Sequence, residues 1–392
     1  MRRSSALARR YEEDRAPARA DARTAIDISD LGRDVYCVLG MPIDAADMPA
    51  TLDKIDEAAK KGQPTLISTA NLNFLTNSLA DFEFRDSLLR SDFCTADGMP
   101  IVWLARLLGL PIRQRVSGAD ILDELRARSG RRKLRVFFFG GADGIASSAR
   151  RILNGENRGL TCVGALNPGF GTIEDMSSNA IIAAINASNA DFLIVALGAA
   201  KGQAWLLHNH HRLRVPARAH LGAALNFQAG TLRRAPRMLR ALGLEWLWRI
   251  KEEPQLWERY WRDARTLLRL LCARVLPLAC GAAHHRWCRA QQLSVRILTD
   301  VESVVLTLGG DATSATVARA TACFQQALLA AQPLIVLDLA AVRYVDQRFL
   351  GSLLMLRKGL HQRGARLLLV APSRRLRRLF ELNEVAFLLK DE

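Results

Sequence analysis

The sequence predicts an α/β protein with three successive parts: a mostly parallel sheet covered by helices on both faces, a helical segment, and a second, smaller α/β unit. From Val35 onward, short β-type apolar runs alternate with amphipathic helical stretches over roughly 190 residues. The strand pattern stops between about Thr231 and Gln291, where the segment is rich in Arg and Trp. Alternation returns after Ser294 over about 95 residues, the size of a small independent domain.

The composition excludes several classes of protein. The chain has 392 residues, of which 49% are hydrophobic, so it is too apolar for wholesale disorder and long enough for two or three domains. Residues 1–25 alternate Arg with Asp and Glu and lack the apolar core of a secretory signal. No uncharged apolar run reaches the length of a membrane-spanning helix. Seven scattered cysteines are typical of a reducing compartment.

The charge balance predicts an anionic partner. Lys and Arg number 55 against 39 Asp and Glu, which gives a net charge of +16. Nucleic acid, phospholipid and a phosphorylated substrate all fit this excess. Arg, which dominates it, is suited to phosphate recognition. A base-composition bias of the host genome would produce the same excess.

The elements are predicted in the following order. Residues 1–34 have few large apolar side chains and are predicted to be a mobile tail. Residues 35–230 form a Rossmann-like α/β domain, whose predicted strands are Tyr36–Leu39, Thr65–Thr69, Arg135–Phe139, Leu160–Val163, Asp191–Leu197 and Arg218–Leu221. Its predicted helices include Met48–Lys61, Ala119–Ser129, Ile145–Leu153 and Ser177–Ala187. Ligands of such a sheet bind at the carboxyl ends of its strands.

Residues 231–291 are predicted to form a helical appendage. It carries five of the seven tryptophans, Trp246, Trp248, Trp257, Trp261 and Trp287. Indole rings and Arg within an apolar helical stretch favour a membrane interface over DNA.

Residues 295–392 are predicted to form the second α/β unit. Its predicted strands are Val301–Leu308, Leu334–Leu339 and Arg366–Val370, and its predicted helices are Ala315–Ala331, Phe349–Gln362 and Arg374–Leu382.

Polar or glycine-rich turns follow three strands of the first domain. They carry the candidate ligand-binding residues Thr69, Asn71, Gly140, Gly141, Gly198, Lys201 and Gln203. Glycine lets backbone N–H groups and a helix N-terminus approach a phosphate. One such turn is equally typical of an ordinary strand-to-helix connection, but three in one sheet predict a nucleotide-type ligand. None has the P-loop or dinucleotide spacing.

Asp97 and Asp120 are candidate functional carboxylates. Asp97 precedes Gly98 after an apolar helical run, so it is either a helix cap or a general base at the mouth of the sheet. Asp120 follows Arg115 and Gly118 and has the same two interpretations.

No metal site is predicted. Cys280, His284, His285 and Cys288 lie on one helical face, whereas structural zinc sites normally draw ligands from separate elements. A nucleophilic Ser or Cys with a partner His is not evident either.

A series of motifs runs in a fixed order from Val38 to Tyr260. They are Val38–Asp44, Thr69–Asn71, Ala96–Gly98, Arg115–Asp120, Gly140–Gly141, Leu197–Gly198 with Lys201 and Trp205, Arg234–Pro236, Gly243–Arg249, Glu253–Pro254 and Arg259–Tyr260. In this order they resemble the WecG/TagA/CpsF family of bacterial glycosyltransferases across roughly residues 35–262.

The resemblance implies a metal-independent, inverting enzyme without a cofactor. Members move N-acetylmannosamine, its uronic acid or glucose from a UDP-sugar onto a polyprenyl-diphosphate-linked sugar in surface polysaccharide synthesis. Asp97 matches the base of the family, and Thr69 and Asn71 match residues of the same pocket. The other expected substrate-binding residues are Arg115, Gly140, Gly141, Gly198, Lys201, Gln203, Arg234, Arg249 and Arg259. The appendage is expected to close over the site and touch an anionic membrane surface, so the protein is expected in the cytoplasm, peripheral on the inner face of the cell membrane.

The sequence departs from the family pattern after the fifth predicted strand. The family usually has Gly-x-Pro-Lys-Gln-Glu-x-Trp there, whereas this chain has Ala200, Gly202 and Gln203 in place of Pro, Gln and Glu. An Asp common after the next strand is Asn226. These changes leave the fold unaffected and leave the donor sugar open.

Residues 295–390 resemble a STAS domain, the module of anti-sigma-factor antagonists. Leu334–Leu339 and Val345–Gly351 match its central strand and switch loop. Signalling members place a phosphorylatable Ser or Thr where Gln347 stands, so we expect a four-stranded module that docks a protein partner through Arg348 and does not act as a phospho-switch. A module that only solubilises or dimerises the enzyme is the alternative.

Two other functions remain open at the level of sequence. A nucleic-acid-binding or regulatory protein would use the basic surface, but no RNP, helix-turn-helix or zinc-finger signature occurs, so no nucleic acid partner is expected. A degenerate transferase kept as a scaffold at the membrane would be consistent with Gly202 and Asn226. Retention of Asp97, Thr69 and Asn71 favours an enzyme.

Overall fold

The computed structural model describes residues 28–129, 132–241 and 243–390. Residues 1–27 of the predicted tail lie outside the described residues. Ser29–Gly32 forms a 3-10 turn, and Arg33 pairs with Asp30 over 2.5 Å and with Asp44 over 2.7 Å. The prediction of a mobile tail is therefore wrong for residues 28–34, because their charged groups neutralise one another in a mostly buried cluster.

The first two strands form a hairpin of their own. β1 (Val35–Val38) and β2 (Met41–Asp44) pair antiparallel, so the first predicted strand does not belong to the parallel sheet. Leu39 and Gly40 both have positive φ, 49° and 85°, as a two-residue hairpin turn requires.

The main sheet has six parallel strands in the order β4-β3-β8-β7-β5-β6. The strands are β3 (Thr65–Ala70), β4 (Phe93–Ala96), β5 (Leu134–Gly140), β6 (Leu160–Leu166), β7 (Phe192–Ala196) and β8 (Ala217–His220). The helices that cover it are α1 (Met48–Lys61), α2 (Leu72–Ala80), α3 (Phe82–Leu89), α4 (Met99–Leu107), α5 (Gly118–Ala127), α6 (Ile145–Glu156), α7 (Asn179–Ala187), α8 (Ala199–His208) and α9 (Gly222–Gln228).

Both faces of this sheet are buried. Phe138 and Ile194 pack into one apolar core, and their neighbours Phe137 and Leu193 pack into another on the opposite face. Helices on both faces of a parallel sheet are the architecture that the alternating pattern predicts. Strand β4 is not among the predicted strands, because an apolar helix was predicted just before Thr95–Pro100 and β4 has only four residues.

The described part of residues 231–291 is helical, as predicted. The elements are α10 (Arg237–Ala241), α11 (Glu245–Glu252), α12 (Trp257–Leu270), a π-helical turn (Leu271–Val275) and α13 (Leu276–Trp287). Within the described residues, one continuous helical stretch, Pro254–Trp287, has the length and apolar composition to cross a membrane. This stretch is not an uncharged apolar run, because Arg269 and Arg274 interrupt it.

The C-terminal unit is a four-stranded sheet with helices, as predicted. Its elements are β9 (Ser294–Thr299), β10 (Ser303–Ala312), α14 (Val317–Leu329), β11 (Leu334–Val345), α15 (Gln347–Gln362), β12 (Arg366–Val370) and α16 (Arg374–Leu382). The order is β12-β11-β10-β9, with β9 antiparallel to β10. The predicted single strand Val301–Leu308 is thus the second half of a hairpin.

The two α/β units share one apolar core. Val35, Cys37 and Leu89 of the first unit belong to the same buried cluster as Phe349 and Met355 of α15. Because these apolar side chains pack in one cluster, the two units form a single folded body.

The loop expected to face an external partner faces this chain instead. Gln347 is buried and its amide donates to Asn383 Oδ1 over 3.3 Å. Arg348 pairs with Asp34 over 2.8 Å and donates to the Arg33 carbonyl over 3.0 Å. The prediction that Arg348 offers its cation to an external partner is therefore wrong for this conformation, because residues 33–34 already hold it.

Candidate active site

The carboxyl ends of β3 and β4 bring together the predicted base and the two predicted pocket residues. The strands stay in parallel register to their ends, and the Asp97 N–H donates to the Ala70 carbonyl over 2.8 Å. Asn71 directly follows β3, and its side-chain oxygen caps α2 by accepting from the Phe74 N–H over 3.1 Å. Thr69, two residues earlier, is buried. Asp97 and Asn71 therefore lie side by side at the mouth of the sheet.

Asp97 is not the N-cap of α4; its carboxylate instead accepts a hydrogen bond from the backbone N–H of Gly118, the first residue of α5. The N-cap of α4 is Gly98, which has a φ of 104° and offers no side-chain cap. Burial raises the pKa of Asp97 to about 7, with Arg115 opposing the shift and the carboxylates of Asp120 and Glu245 adding to it. A carboxyl group with this pKa exchanges its proton near neutral pH, as a general base requires.

Next to Asp97, an ion-pair cluster joins the appendage to the catalytic sheet. Arg115 bonds Asp120 over 2.6 Å and also bonds Glu245 of α11. Arg234 bonds Asp120 over 2.5 Å and Asp123 over 3.0 Å. Two of the predicted substrate cations are thus neutralised by carboxylates of this chain.

The three predicted arginines of the appendage nevertheless keep unused donors. Arg249 pairs with Glu253 over 2.5 Å, and Arg259 lies over the Tyr260 ring at 5.0 Å. The Nε atoms of Arg234, Arg249 and Arg259 are buried and have no hydrogen-bond partner among the described residues, although Arg234 Nε forms an ion pair with Glu245 over 3.8 Å. A buried donor without a partner is costly, so these atoms are suited to an anionic ligand.

The glycine turns lie at the same edge of the sheet, at the ends of β5 and β7. Gly140 has a φ of 95°, and a Cβ atom there would stand 2.8 Å from the Ala196 carbonyl oxygen, so only glycine fits. The Gly141 N–H is already used, since it donates to the same oxygen over 2.8 Å. Gly198 is the N-cap of α8. Lys201, in the first turn of α8, is exposed and its ammonium donates to the Gly171 carbonyl over 2.9 Å.

Gln203 does not reach this edge. Its side chain is fully buried, and its amide donates to Ser68 Oγ over 2.9 Å. It therefore cannot contact a ligand in this conformation, which corrects its prediction as a substrate-binding residue. The cause is helical geometry, because Gln203 lies on the face of α8 that packs on the sheet.

Sequence reasoning missed Glu245 and Asp263. Glu245 bonds a residue 130 positions away, so no local pattern indicates its role. Asp263 of α12 is buried against Asn73 and Thr76 of α2; burial raises its pKa, and hydrogen bonds from these two residues oppose the shift. The position of Asp263 on the apolar side of an amphipathic helix was the sequence signal that could have indicated its buried role.

Within the described residues, no group of three or more His, Cys, Asp and Glu side chains is arranged to hold a metal ion. In the Cys/His stretch of α13, His284 Nε2 lies 3.9 Å from Cys288 Sγ. His285 instead stacks on Tyr344 of the C-terminal unit, with ring centroids 3.9 Å apart.

Curated relatives match the N-terminal unit. An N-acetylglucosaminyldiphosphoundecaprenol N-acetyl-beta-D-mannosaminyltransferase of Bacillus spizizenii is 28% identical over 194 residues, which are 49% of this chain and 73% of the relative. The protein of the same name from Bacillus subtilis is 25% identical over 50% of this chain and 74% of the relative.

Solved structures match the C-terminal unit. An anti-sigma factor antagonist from Mycobacterium paratuberculosis is 19% identical with a TM-score of 0.22, covering 23% of this chain and 77% of that chain. The unphosphorylated anti-sigma factor antagonist SpoIIAA is 21% identical with a TM-score of 0.23, covering 25% of this chain and 88% of that chain.

Family descriptions match both units. Residues 295–390 match the Mlab, STAS domain family. Residues 36–279, more than half of the chain, match the glycosyl transferase WecG/TagA/CpsF family. The chain therefore belongs to the WecG/TagA/CpsF family of glycosyl transferases and carries a C-terminal STAS domain.

Proposed function

We propose that this enzyme transfers a sugar (N-acetylmannosamine, its uronic acid or glucose) from a UDP-sugar to a sugar linked to polyprenyl diphosphate, with inversion and without a metal ion. The relatives' names supply the chemical class, an N-acetylmannosaminyl group moved onto N-acetylglucosaminyldiphosphoundecaprenol. The observation that carries the proposal is Asp97, a half-buried carboxylate with a raised pKa at the carboxyl end of β4, beside Asn71.

In this mechanism Asp97 is the general base. Its carboxylate takes the proton of the acceptor hydroxyl as that oxygen forms a bond to the anomeric carbon of the donor. The bond from this carbon to the diphosphate breaks on the opposite face, so the configuration inverts and UDP leaves as an anion. Holding both substrates at one sheet edge makes the reaction effectively intramolecular.

Without a metal ion, the diphosphate charge must be met by the protein. Lys201 lies in the first turn of α8, where the helix N-terminus also favours an anion. The unused Nε donors of Arg249 and Arg259 add hydrogen bonds from the appendage. These groups act in a partly buried site, where each hydrogen bond to an anion is stronger than in water.

We also propose that the appendage lies on the cytoplasmic face of the cell membrane. Trp261, Leu268 and Leu276 are exposed along one side of the α12–α13 helix, beside exposed Arg265 and Arg269. Apolar side chains would enter the lipid while each Arg near anionic headgroups adds about 1 kcal/mol.

The same helix packs along the protein, which favours lying on the membrane over crossing it. Leu270, Val275 and Leu278 are buried in the apolar core beside β2 and α4. His285, near the helix end, contacts the STAS domain. A helix that is fixed to folded domains at several points along its length presents its outer side to lipid.

A panel of labelled UDP-sugars tests the activity: UDP-N-acetylmannosamine, its uronic acid and UDP-glucose, each with a polyprenyl-diphosphate-linked N-acetylglucosamine. We expect transfer from one donor, an inverted product by NMR, and no loss of rate in EDTA. Donor binding without transfer would instead support a non-catalytic scaffold, and loss of rate in EDTA would contradict metal independence.

A further inference from the structure

The helix α15 of the STAS domain is buried on both sides. Phe349, Leu353 and Leu356 pack into the core of the C-terminal unit. On the other side, Gly351 lies against the hairpin, where a Cβ atom would stand 2.1 Å from the Val35 carbonyl oxygen. The backbone of α15 therefore contacts the backbone of β1 directly, which is the closest approach that two elements can make.

Lys358 of α15 reaches the base of the catalytic sheet. Its side chain is fully buried, and its ammonium bonds Asp30 and Asp92 over 2.7 Å each and the Ser91 carbonyl over 3.1 Å. Although burial alone would raise it, Lys358 and Arg33 hold the pKa of Asp30 below its usual range. Because two carboxylates share this buried cation, a displacement of Lys358 would also displace Asp30 and Asp92.

Two carboxylates fix strand β4: Asp92, which Lys358 holds directly, and Asp44. Asp92 immediately precedes β4, and its Oδ2 accepts from the Leu66 N–H of β3 over 2.8 Å. On the outer edge of β4, the Cys94 N–H donates to Asp44 Oδ2 over 2.7 Å, and Asp44 is itself held by Arg33. Strand β4 is the edge strand of the main sheet and has no neighbouring strand on its outer side. The Asp44 carboxylate accepts a backbone hydrogen bond there that a neighbouring strand would otherwise accept.

We propose that the STAS domain acts in cis as a positioning element of the transferase, with Lys358 as its positioning residue. Through Asp92 and the hairpin, α15 holds β4 in place, and β4 carries Asp97 at its other end. The proposal rests on the role proposed above for Asp97. A shift of about 1 Å in a catalytic group is enough to lower turnover by roughly 100-fold.

Amide hydrogen exchange of the full-length protein tests this without requiring activity. Gly351→Ala wedges α15 away from Val35, and Gly155→Ala is its control, since a Cβ at Gly155 meets nothing within 4 Å. Lys358→Met removes the buried cation, and Lys61→Met removes an exposed one that pairs with Glu57. We expect the segment Asp92–Asp97 to exchange at least about tenfold faster in both α15 variants, and Phe192–Ala196 of β7 to be unchanged.

Kinetics add a second measurement. In both α15 variants we expect kcat to fall by about tenfold or more and KM for the donor to stay within about twofold, as a positioning role requires. Faster exchange in α15 with unchanged exchange in Asp92–Asp97 would overturn the proposal, as would normal kcat in both variants. If the wild-type protein transfers no sugar, the proposed function fails, and the exchange measurement still decides whether α15 holds β4.

Discussion

Gly202 and His220 are in contact with no room for a side chain between them: a Cβ atom on Gly202 would stand 2.2 Å from the imidazole Cδ2. The ring is fixed, because Nε2 donates to the Leu197 carbonyl over 2.6 Å. Burial lowers the pKa of His220, which keeps the ring neutral. A larger residue at position 202, such as the Gln that is usual in the family, is therefore incompatible with this histidine.

We expect Gly202→Ala to destabilise the protein by about 1–3 kcal/mol, because the methyl group overpacks the contact between α8 and β8. Thermal unfolding measures this as a lower Tm. Gly155→Ala, an addition into open space on α6, is expected to leave Tm unchanged or slightly higher. An unchanged Tm for Gly202→Ala would mean that the histidine moves freely.

We expect Asp97→Asn to lower kcat by roughly 100-fold or more, since the amide cannot take the acceptor proton. Donor affinity should change little, because the proposed diphosphate contacts lie on α8 and the appendage. Single-turnover transfer and equilibrium binding of the UDP-sugar separate the two effects. Asp53→Asn, on an exposed position of α1, is the matched control. Near wild-type turnover in Asp97→Asn would remove this residue from the mechanism.

The activity should rise with pH through about 7, because Asp97 acts only when deprotonated and burial raises its pKa to about 7. Glu245→Gln should move this limb of the pH profile to lower pH. It removes a negative charge near Asp97 and leaves the positive charge of Arg115 less neutralised, and both changes favour the carboxylate. The profile of kcat/KM checks the direction, with Glu57→Gln as control. A limb that moves to higher pH contradicts the argument.

We expect Trp261→Glu and Leu268→Glu to weaken binding to vesicles that contain anionic lipid, because each places a charge in the proposed lipid-facing side of α12. Flotation at increasing salt measures the effect, and wild-type binding should fall as salt screens the Arg residues. Val301→Glu, at an exposed apolar position of the STAS domain, should bind like wild type. Equal flotation of all three variants would assign the membrane contact to another surface.

Local signals allowed some elements to be predicted to the residue. The bounds of β12 and α16 agree with the sequence prediction, because Pro372 and Ser373 separate them and the Ser373 hydroxyl caps α16 through the Leu376 N–H. That Asp97, Thr69 and Asn71 share a pocket was expected only from the family resemblance, because the strand that carries Asp97 is not among the predicted strands.

Other features depend on contacts between distant residues and left no local pattern. Strand β4 has only four residues, and its outer edge is satisfied by Asp44, 50 positions earlier. Lys358 lies on a helix that looks amphipathic in isolation, and it becomes a buried cation only because the catalytic unit covers it. Arg115 and Arg234 were expected to bind the substrate, but both form ion pairs with carboxylates of α5 and α11.

The core shared by the hairpin and α15 has an evolutionary consequence. A transferase of this fold without a C-terminal domain would expose Val35, Cys37 and Leu89, which that domain covers here, and an apolar patch of that kind promotes aggregation. We therefore expect these three positions to be polar in a homologue that lacks the domain and has no other surface to cover them. Their hydrophobicity in a homologous gene should indicate whether that gene also encodes a covering domain.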